Sequence, residues 1–248
     1  MGFYTQNGGF IGVDYTSENR GVFDIIGHQL DIPPFTPPLV TTDLILHLDA
    51  SNTSSYSSGS TWYDLSASGN SGTITGATHT SGVGGYFDFD GTDDHVRMAS
   101  DMFNPNSNFT FSSWVNADIN TSTITIVSDH LTSGSIQIRF INTLAVQIVD
   151  NYVVNVGTFS NFSFSTGTWY NVVVTRSSNT YSLYVNGSYK SNFTSTNSYS
   201  YGAQTIGANN NGSERWNGKI SQIACYSRAI SSTEVTQNWN ALKSSYGY

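Results

Sequence analysis

The sequence predicts an all-β chain: an antiparallel sandwich, preceded by an extended N-terminal segment and followed by one short helix. Three observations lead there. From Asp43 onward, apolar and polar residues alternate over strand-length runs. Gly-, Asn- and Ser-rich turns separate those runs. Helical spacing occurs only near the C-terminus.

Residues 1–42 read differently from the rest. Phe10, Ile11 and Val13 form one apolar patch, and Val22, Phe23, Ile25 and Ile26 form another, with the polar stretch Asp14 to Arg20 between them. These seven side chains are the expected docking contacts of the segment. Four of the five prolines then fall in Ile32-Pro33-Pro34-Phe35-Thr36-Pro37-Pro38. Paired prolines favour extended, semi-rigid geometry, so this is a linker. The expected domains are therefore 1–42, a docking segment with a Pro-rich linker, and 43–248, a β-sandwich.

The first strand of the body is Leu44-Ile45-Leu46-His47-Leu48. Tyr86 to Asp90, Phe109 to Val115, Thr123 to Val127, Ile136 to Phe140 and Leu144 to Val149 follow. Trp169 to Thr175 and Tyr181 to Val185 flank a hairpin-length loop, Arg176 to Thr180. Asn186-Gly187 marks a tight turn into Ser188-Tyr189-Lys190. Many short strands with regular turn signals predict a sandwich or a jelly roll. Near the end, Ser231-Ser232-Thr233-Glu234 has the spacing of a capping box, and Val235, Trp239 and Leu242 lie on one helical face. This helix is expected to close the sandwich.

Composition narrows the function. The net charge is −8, only 10% of residues are charged, and Lys and Arg form no cluster. Phosphate backbones and anionic membranes select for such clusters, so neither is an expected partner. No apolar run approaches the length of a membrane helix. Met1 to Asn7 has neither the basic nor the apolar region of a secretory signal. The single cysteine, Cys225, lies in an apolar strand pattern and is expected to be a buried small hydrophobe.

Four blocks of the body resemble a known family. They are Leu46-His47-Leu48-Asp49-Ala50-Ser51-Asn52 with Thr61-Trp62-Tyr63-Asp64-Leu65; Phe87-Asp88-Phe89-Asp90-Gly91-Thr92-Asp93-Asp94-His95-Val96; Phe109 to Val115; and Gly167 to Thr175 with Leu183 to Gly187, Trp216 to Ile220 and Tyr226 to Ile230. In order and spacing they resemble the laminin-G-like, concanavalin-A-like jelly-roll domains common in bacterial surface and bacteriophage proteins. The opening Gly9 to Tyr15 with His28-Gln29-Leu30 is similar to virion proteins of tailed bacteriophages. The resemblance implies the jelly-roll fold. It leaves function open, because lectins, adhesins, structural subunits and glycosidases share that fold.

Glycosidase chemistry needs two carboxylates flanking the scissile bond. The chain has only three glutamates, Glu18, Glu214 and Glu234, in the head, a loop and the helix cap. No Gly-x-Ser-x-Gly or His-Glu-x-x-His pattern occurs. The expectation is a non-enzyme requiring no cofactor. Asp88, Asp90, Asp93 and Asp94 around Gly91 could hold calcium, or else Asp90 and Asp93 cap a hairpin turn. A glycan site would draw on Trp62, Tyr63, Tyr199, Tyr201 and Trp216 with Asn209 and Asn210; the alternative is that these aromatics seal the sandwich rim or pave an interface.

The leading expectation is a bacteriophage virion structural protein of decoration, fibre or knob type. It would dock through residues 1–42, assemble with other virion proteins or as a homo-oligomer (the trimer being a guess and not a deduction), and display the jelly roll for host attachment. The alternative is a carbohydrate-binding module or adhesin for surface glycan. Location follows as the particle surface, or otherwise the bacterial surface or secreted.

Overall fold

The computed structural model describes residues 38–118, 122–129, 136–141, 145–150, 154–209 and 212–248, together with four short strands near the N-terminus. The chain divides into two units, Met1–Pro37 and Pro38–Tyr248. In the first, β1 (Phe3–Tyr4) pairs with β2 (Phe10–Ile11), and β3 (Val22–Phe23) with β4 (Gln29–Leu30), both antiparallel. Four of the expected docking residues, Phe10, Ile11, Val22 and Phe23, lie in these strands. Val13, Ile25 and Ile26 lie outside the described residues.

The boundary falls at Pro37/Pro38, five residues before the expected one. Residues 38–42 belong to the sandwich: the Val40 N–H donates to Asn238 Oδ1 at 2.8 Å, and the Tyr226 hydroxyl donates to the Val40 carbonyl at 2.9 Å. Val40 is buried there. Proline spacing marks where the chain is stiff, but apolar burial decides which body it joins.

The second unit is built from β5 (Leu44–Asp49), β6 (Thr61–Trp62), β7 (Gly72–Thr75), β8 (Thr78–Thr80), β9 (Tyr86–Asp90), β10 (His95–Met98), β11 (Phe109–Ala117), β12 (Ile124–Asp129), β13 (Ile136–Ile141), β14 (Ala145–Asp150), β15 (Val154–Thr158), β16 (Trp169–Ser177), β17 (Thr180–Val185), β18 (Ser188–Thr194), β19 (Gln204–Ile206), β20 (Asn217–Tyr226) and helix α1 (Ser232–Leu242). Sheet I runs β15-β14-β13-β12-β19-β10-β7-β6; sheet II runs β18-β17-β16-β11-β20-β9-β8, with β5 also on β20. All their pairings are antiparallel.

Alternation sets the core. Phe109, Phe111 and Val115 of β11, Val172 and Val174 of β16, and Ile136, Ile138 and Phe140 of β13 all enter one buried cluster between the sheets. The β16–β17 hairpin is tighter than the expected five-residue loop. Both strands continue through Arg176, Ser177 and Thr180, leaving Ser178-Asn179 as the turn, with Ser178 at φ 54°. At the next turn Asn186 and Gly187 have φ 53° and 74°, the positive pair that a type I′ hairpin requires.

Helix α1 covers the outer face of sheet II. Its capping box forms as expected: Ser231 Oγ accepts from the Glu234 N–H at 3.3 Å, and the Ser231 N–H donates to Glu234 Oε2 at 2.8 Å. Val235, Ile230, Val173, Ala224 and Tyr226 make a second, small core beneath it. Trp114 points outward from β11 yet has no exposure, because Trp239 stacks on it at 5.1 Å and Tyr246 at 3.8 Å. Cys225 is fully buried, and burial pushes its thiol pKa well up. It is a packing residue.

Truncating Trp114 to Ala should cost about 3–5 kcal/mol, read by chemical denaturation, since it opens a cavity under two rings. Arg228 donates to both oxygens of Glu234, and that contact, with the Ser231 amide, lowers the Glu234 pKa to about 2 from its ordinary 4.5. A depressed carboxyl pKa stabilises the fold above the ordinary value, and the gain is lost as pH falls from about 4.5 toward 2. Glu234→Gln should therefore cost about 1–2 kcal/mol at pH 7 and flatten the acid limb of the stability profile. An unchanged acid limb would contradict this assignment.

Candidate functional site

On sheet I, the same alternation that sends Ile136, Ile138, Phe140, Val146 and Ile148 inward sends Gln137, Arg139 and Gln147 outward. Strand register lines these up: Arg139 faces Thr125 on one side and Gln147 on the other, and Gln147 faces Thr158. The result is one connected row of polar side chains. Gln147 Nε2 donates to Thr158 Oγ1 at 3.0 Å, and Gln147 Oε1 accepts from Arg139 Nε and Nη2 at 2.9 and 2.7 Å. Arg139 Nη1 pairs with Glu214 Oε1 at 2.7 Å. Gln137 Nε2 donates to Thr125 Oγ1 and to Glu214 Oε2. Arg139 and Glu214 each keep about a fifth of their side chain in solvent, at 22% and 23%. Planar amide, guanidinium and carboxylate edges are thus fixed at a solvent boundary, and each can exchange a partner for an incoming hydroxyl.

Glu214 arrives on a loop that Asn209 closes. Asn209 Oδ1 accepts from the Ser213 and Glu214 amides at 2.9 and 3.2 Å, and the Asn209 N–H donates to the Glu214 carbonyl at 3.2 Å. From the same loop, Arg215 Nη1 donates to the Asp93 carbonyl at 3.0 Å, tying the polar row to the acidic turn between β9 and β10.

That turn brings together Asp90, Asp93 and Asp94, with one ligand atom from each lying within 4.8 Å of the others. Asp88 stands apart, in β9 between Thr78 and Lys219. Two of the carboxylates cap backbone amides: Asp90 Oδ1 accepts from the Thr92 N–H at 2.7 Å and Asp94 Oδ2 from the Asp90 N–H at 2.9 Å. The capping pair is thus Asp90 and Asp94, whereas the sequence reading paired Asp90 with Asp93. Asp94 is buried, and burial first, then the neighbouring Asp90, Asp93 and Asp88, raises its pKa against the pull of the Asp90 amide. The donor set suits a divalent cation, and the turn is also fully explained as a capped hairpin.

The expected aromatic sugar platform does not form. Trp62 and Trp216 have no exposure and lie in the core, Trp62 against Phe87 at 4.7 Å and Trp216 edge-on to Phe140 at 5.5 Å. Tyr199 is also buried. Tyr63 and Tyr201 are open, at 52% and 41%, but they flank β6 and β19 with β7 and β10 between those strands. Asn209 is a buried loop closer, and Asn210 lies outside the described residues. The physical reason is that a sandwich end must be plugged, and indoles plug it best. The polar row was missed, though its signal was present: Ile-Gln-Ile-Arg-Phe and Val-Gln-Ile place long hydrogen-bonding side chains at alternate positions of successive strands.

The acidic turn also makes a sharp structural demand. Gly76 has φ +77°, and a Cβ there would lie 1.8 Å from Asp94 Oδ1. Gly76→Ala should cost about 2 kcal/mol or more in metal-free buffer. Asp94→Asn keeps an oxygen for the Asp90 amide and removes a crowded charge, so it should change stability by less than about 0.5 kcal/mol. The reverse ranking in thermal melts would contradict this account of the turn.

Among solved structures, the sandwich is similar to Trypanosoma rangeli sialidase in complex with sialic acid, with TM-score 0.64 and 15% identity over 87% of this chain and 37% of that one. The chain therefore spans little more than a third of the sialidase. It is similar to domain 4 of AbnA, a GH43 extracellular arabinanase from Geobacillus stearothermophilus, in complex with arabinotriose: TM-score 0.60, 17% identity, 79% of this chain and 98% of that one. It is also similar to the binding domain of botulinum neurotoxin serotype D, with TM-score 0.61 and 16% identity over 81% and 52%. At these identities the likeness is one of fold. No curated protein sequence matches the chain. The profile of the concanavalin A-like lectin/glucanases superfamily matches residues 90–236, more than half of the sequence, and the chain belongs to that superfamily.

Proposed function

We propose that the jelly roll is a non-catalytic carbohydrate-binding domain that grips neutral sugar hydroxyls on the outer face of sheet I. The observation that carries this reading is the connected row Thr125, Gln137, Arg139, Gln147, Thr158 and Glu214. A row whose members already hold one another costs little to order when ligand binds. Arg139 is balanced by Glu214, so the row itself carries no net charge to select an acidic ligand. The arabinanase domain, similar over nearly its whole length, is itself described with arabinotriose, which supports a neutral oligosaccharide as the first ligand to try.

The non-catalytic part rests on charge. Glu214 is the one carboxylate in the row, and it is ion-paired, whereas glycoside hydrolysis uses two across the bond.

A second proposal concerns the head. Met1–Pro37 forms a compact unit of its own, which supports an attachment role for it, in a virion or on a cell surface, with the jelly roll displayed.

The full-length protein and a 38–248 truncation should bind arabinotriose or a related neutral oligosaccharide equally in calorimetry. Arg139→Ala should weaken binding about tenfold or more, the loss of a charge-assisted hydrogen bond, and Gln147→Ala about three- to tenfold, the loss of a neutral one. A glycan array with no hits, or affinity indifferent to both substitutions, overturns the sheet I reading. Co-sedimentation with particles or cells by the full-length protein alone would support the head's role, and equal co-sedimentation of both would refute it.

A further inference from the structure

Helix α1 and the C-terminal residues leave one corner of sheet II's outer face open, where β9, β11, β16 and β20 lie side by side. A bulge creates this corner. The β11–β20 register shifts between Trp114 and Val115, so Trp114 faces Gln222 but Val115 faces Ile220. Beyond the shift, Asn116 lies between Trp169 and Lys219, and Lys219 lies next to Asp88. Gly218 permits the close approach: it has φ +129°, and a Cβ there would lie 2.2 Å from the Asn116 carbonyl oxygen. Bulges commonly re-aim side chains beside functional sites.

Two half-buried aromatics form a wedge at this corner. Tyr86 and Trp169 have ring centroids 5.9 Å apart at 57°, and Tyr246 backs Trp169 at 5.1 Å. Lys219 Nζ lies 5.9 Å from the Tyr86 ring and bonds Asp118 at 3.0 and 3.1 Å. Between Trp169 and Lys219 in the sheet, Asn116 is only 6% exposed, and its side-chain Oδ1 is buried with no hydrogen-bond partner. A buried amide oxygen is normally satisfied, so an orphan in the strand between Trp169 and Lys219, beside half-buried aromatic rings, points to a donor that arrives from outside.

We propose that this corner is a second ligand site, taking a single neutral pyranose residue. The sugar's C–H face would pack on Trp169 and Tyr86, and its hydroxyls would reach Asn116, Lys219 and the carboxylates of Asp118 and Asp88. Charge decides the class. One lysine is outnumbered by two aspartates within a chain of net charge −8, so anionic sugars and phosphates are rejected. The mixture of ring faces and polar tips suits an amphipathic ring better than an apolar peptide side chain. The site lies on the opposite sheet from the Arg139 row and does not depend on that row binding sugar.

The test is nitrogen–proton NMR of the tryptophan indole groups in the full chain. It is titrated separately with the methyl glycosides of glucose, galactose, mannose and N-acetylglucosamine, and with N-acetylneuraminic acid. At least one neutral glycoside should shift the Trp169 signal saturably, and the acidic sugar should not. Tyr86→Ala should weaken that binding about tenfold or more in the same titration, while Trp169→Phe, which keeps a ring but loses the reporting indole, retains it within a few-fold by calorimetry. Unchanged signals from the other tryptophans certify the fold of each variant. Absence of any saturable Trp169 shift, a shift with the acidic sugar alone, or binding lost in Arg139→Ala but not Tyr86→Ala overturns the proposal.

Discussion

The register of β20 against β11 is the constraint on which the rest of the second unit depends. β20 is the longest strand described, at ten residues, and it serves three neighbours: β11 along its length, β9 through Asn217–Ile220 and β5 through Gln222–Tyr226. Its inner residues Ile220, Ile223 and Cys225 enter the main core, while Ala224 and Tyr226 enter the small core under α1. A one-residue slip would exchange those two sets, and strand pairing permits no intermediate. The bulge lets one strand satisfy both demands, because beyond it the outward positions are reassigned to Lys219 and Asn217. Asn217 then donates to the Asp90 carbonyl at 3.1 Å, and the residues just before it carry Glu214 and Arg215 to sheet I and the acidic turn.

The two outer faces answer the same problem differently. On sheet II, apolar outward residues such as Trp114, Val173 and Ala224 are sheltered by α1 and the aromatic C-terminus. On sheet I, the outward residues Gln137, Arg139 and Gln147 of β13 and β14 are long, polar and joined in one hydrogen-bonded network. Such a network adds little net stability, because every bond replaces one to water. Its effect is to fix orientation, and fixed orientation is what a recognition surface needs.

The sheet architecture, the capped helix and the I′ turn at Asn186-Gly187 were legible in the sequence, because periodicity and turn chemistry are local. The short strands β6, β7, β8, β10 and β19 were not, since two to four residues carry no period and are held by neighbours distant in sequence. The burial of the expected aromatic platform was not legible for a related reason. Trp62 and Trp216 follow loop-like stretches, and nothing local distinguishes an indole that plugs a sandwich from one that faces solvent. The helix stripe was read correctly at Trp239, but its partners Trp114 and Tyr246 depend on how the chain closes. The Arg139–Glu214 pair joins residues 75 positions apart, and no local pattern could supply it.

The central claim is that sugar is recognised on the outer face of sheet I. Backbone chemical-shift mapping of the isotopically labelled full chain, titrated with arabinotriose, tests it most directly. The account predicts saturable shifts centred on Gln137, Arg139, Gln147 and Glu214, with the buried Trp62 and Trp216 unmoved. Saturable shifts confined to other surfaces, or none with arabinotriose or the neutral oligosaccharides related to it, would contradict it.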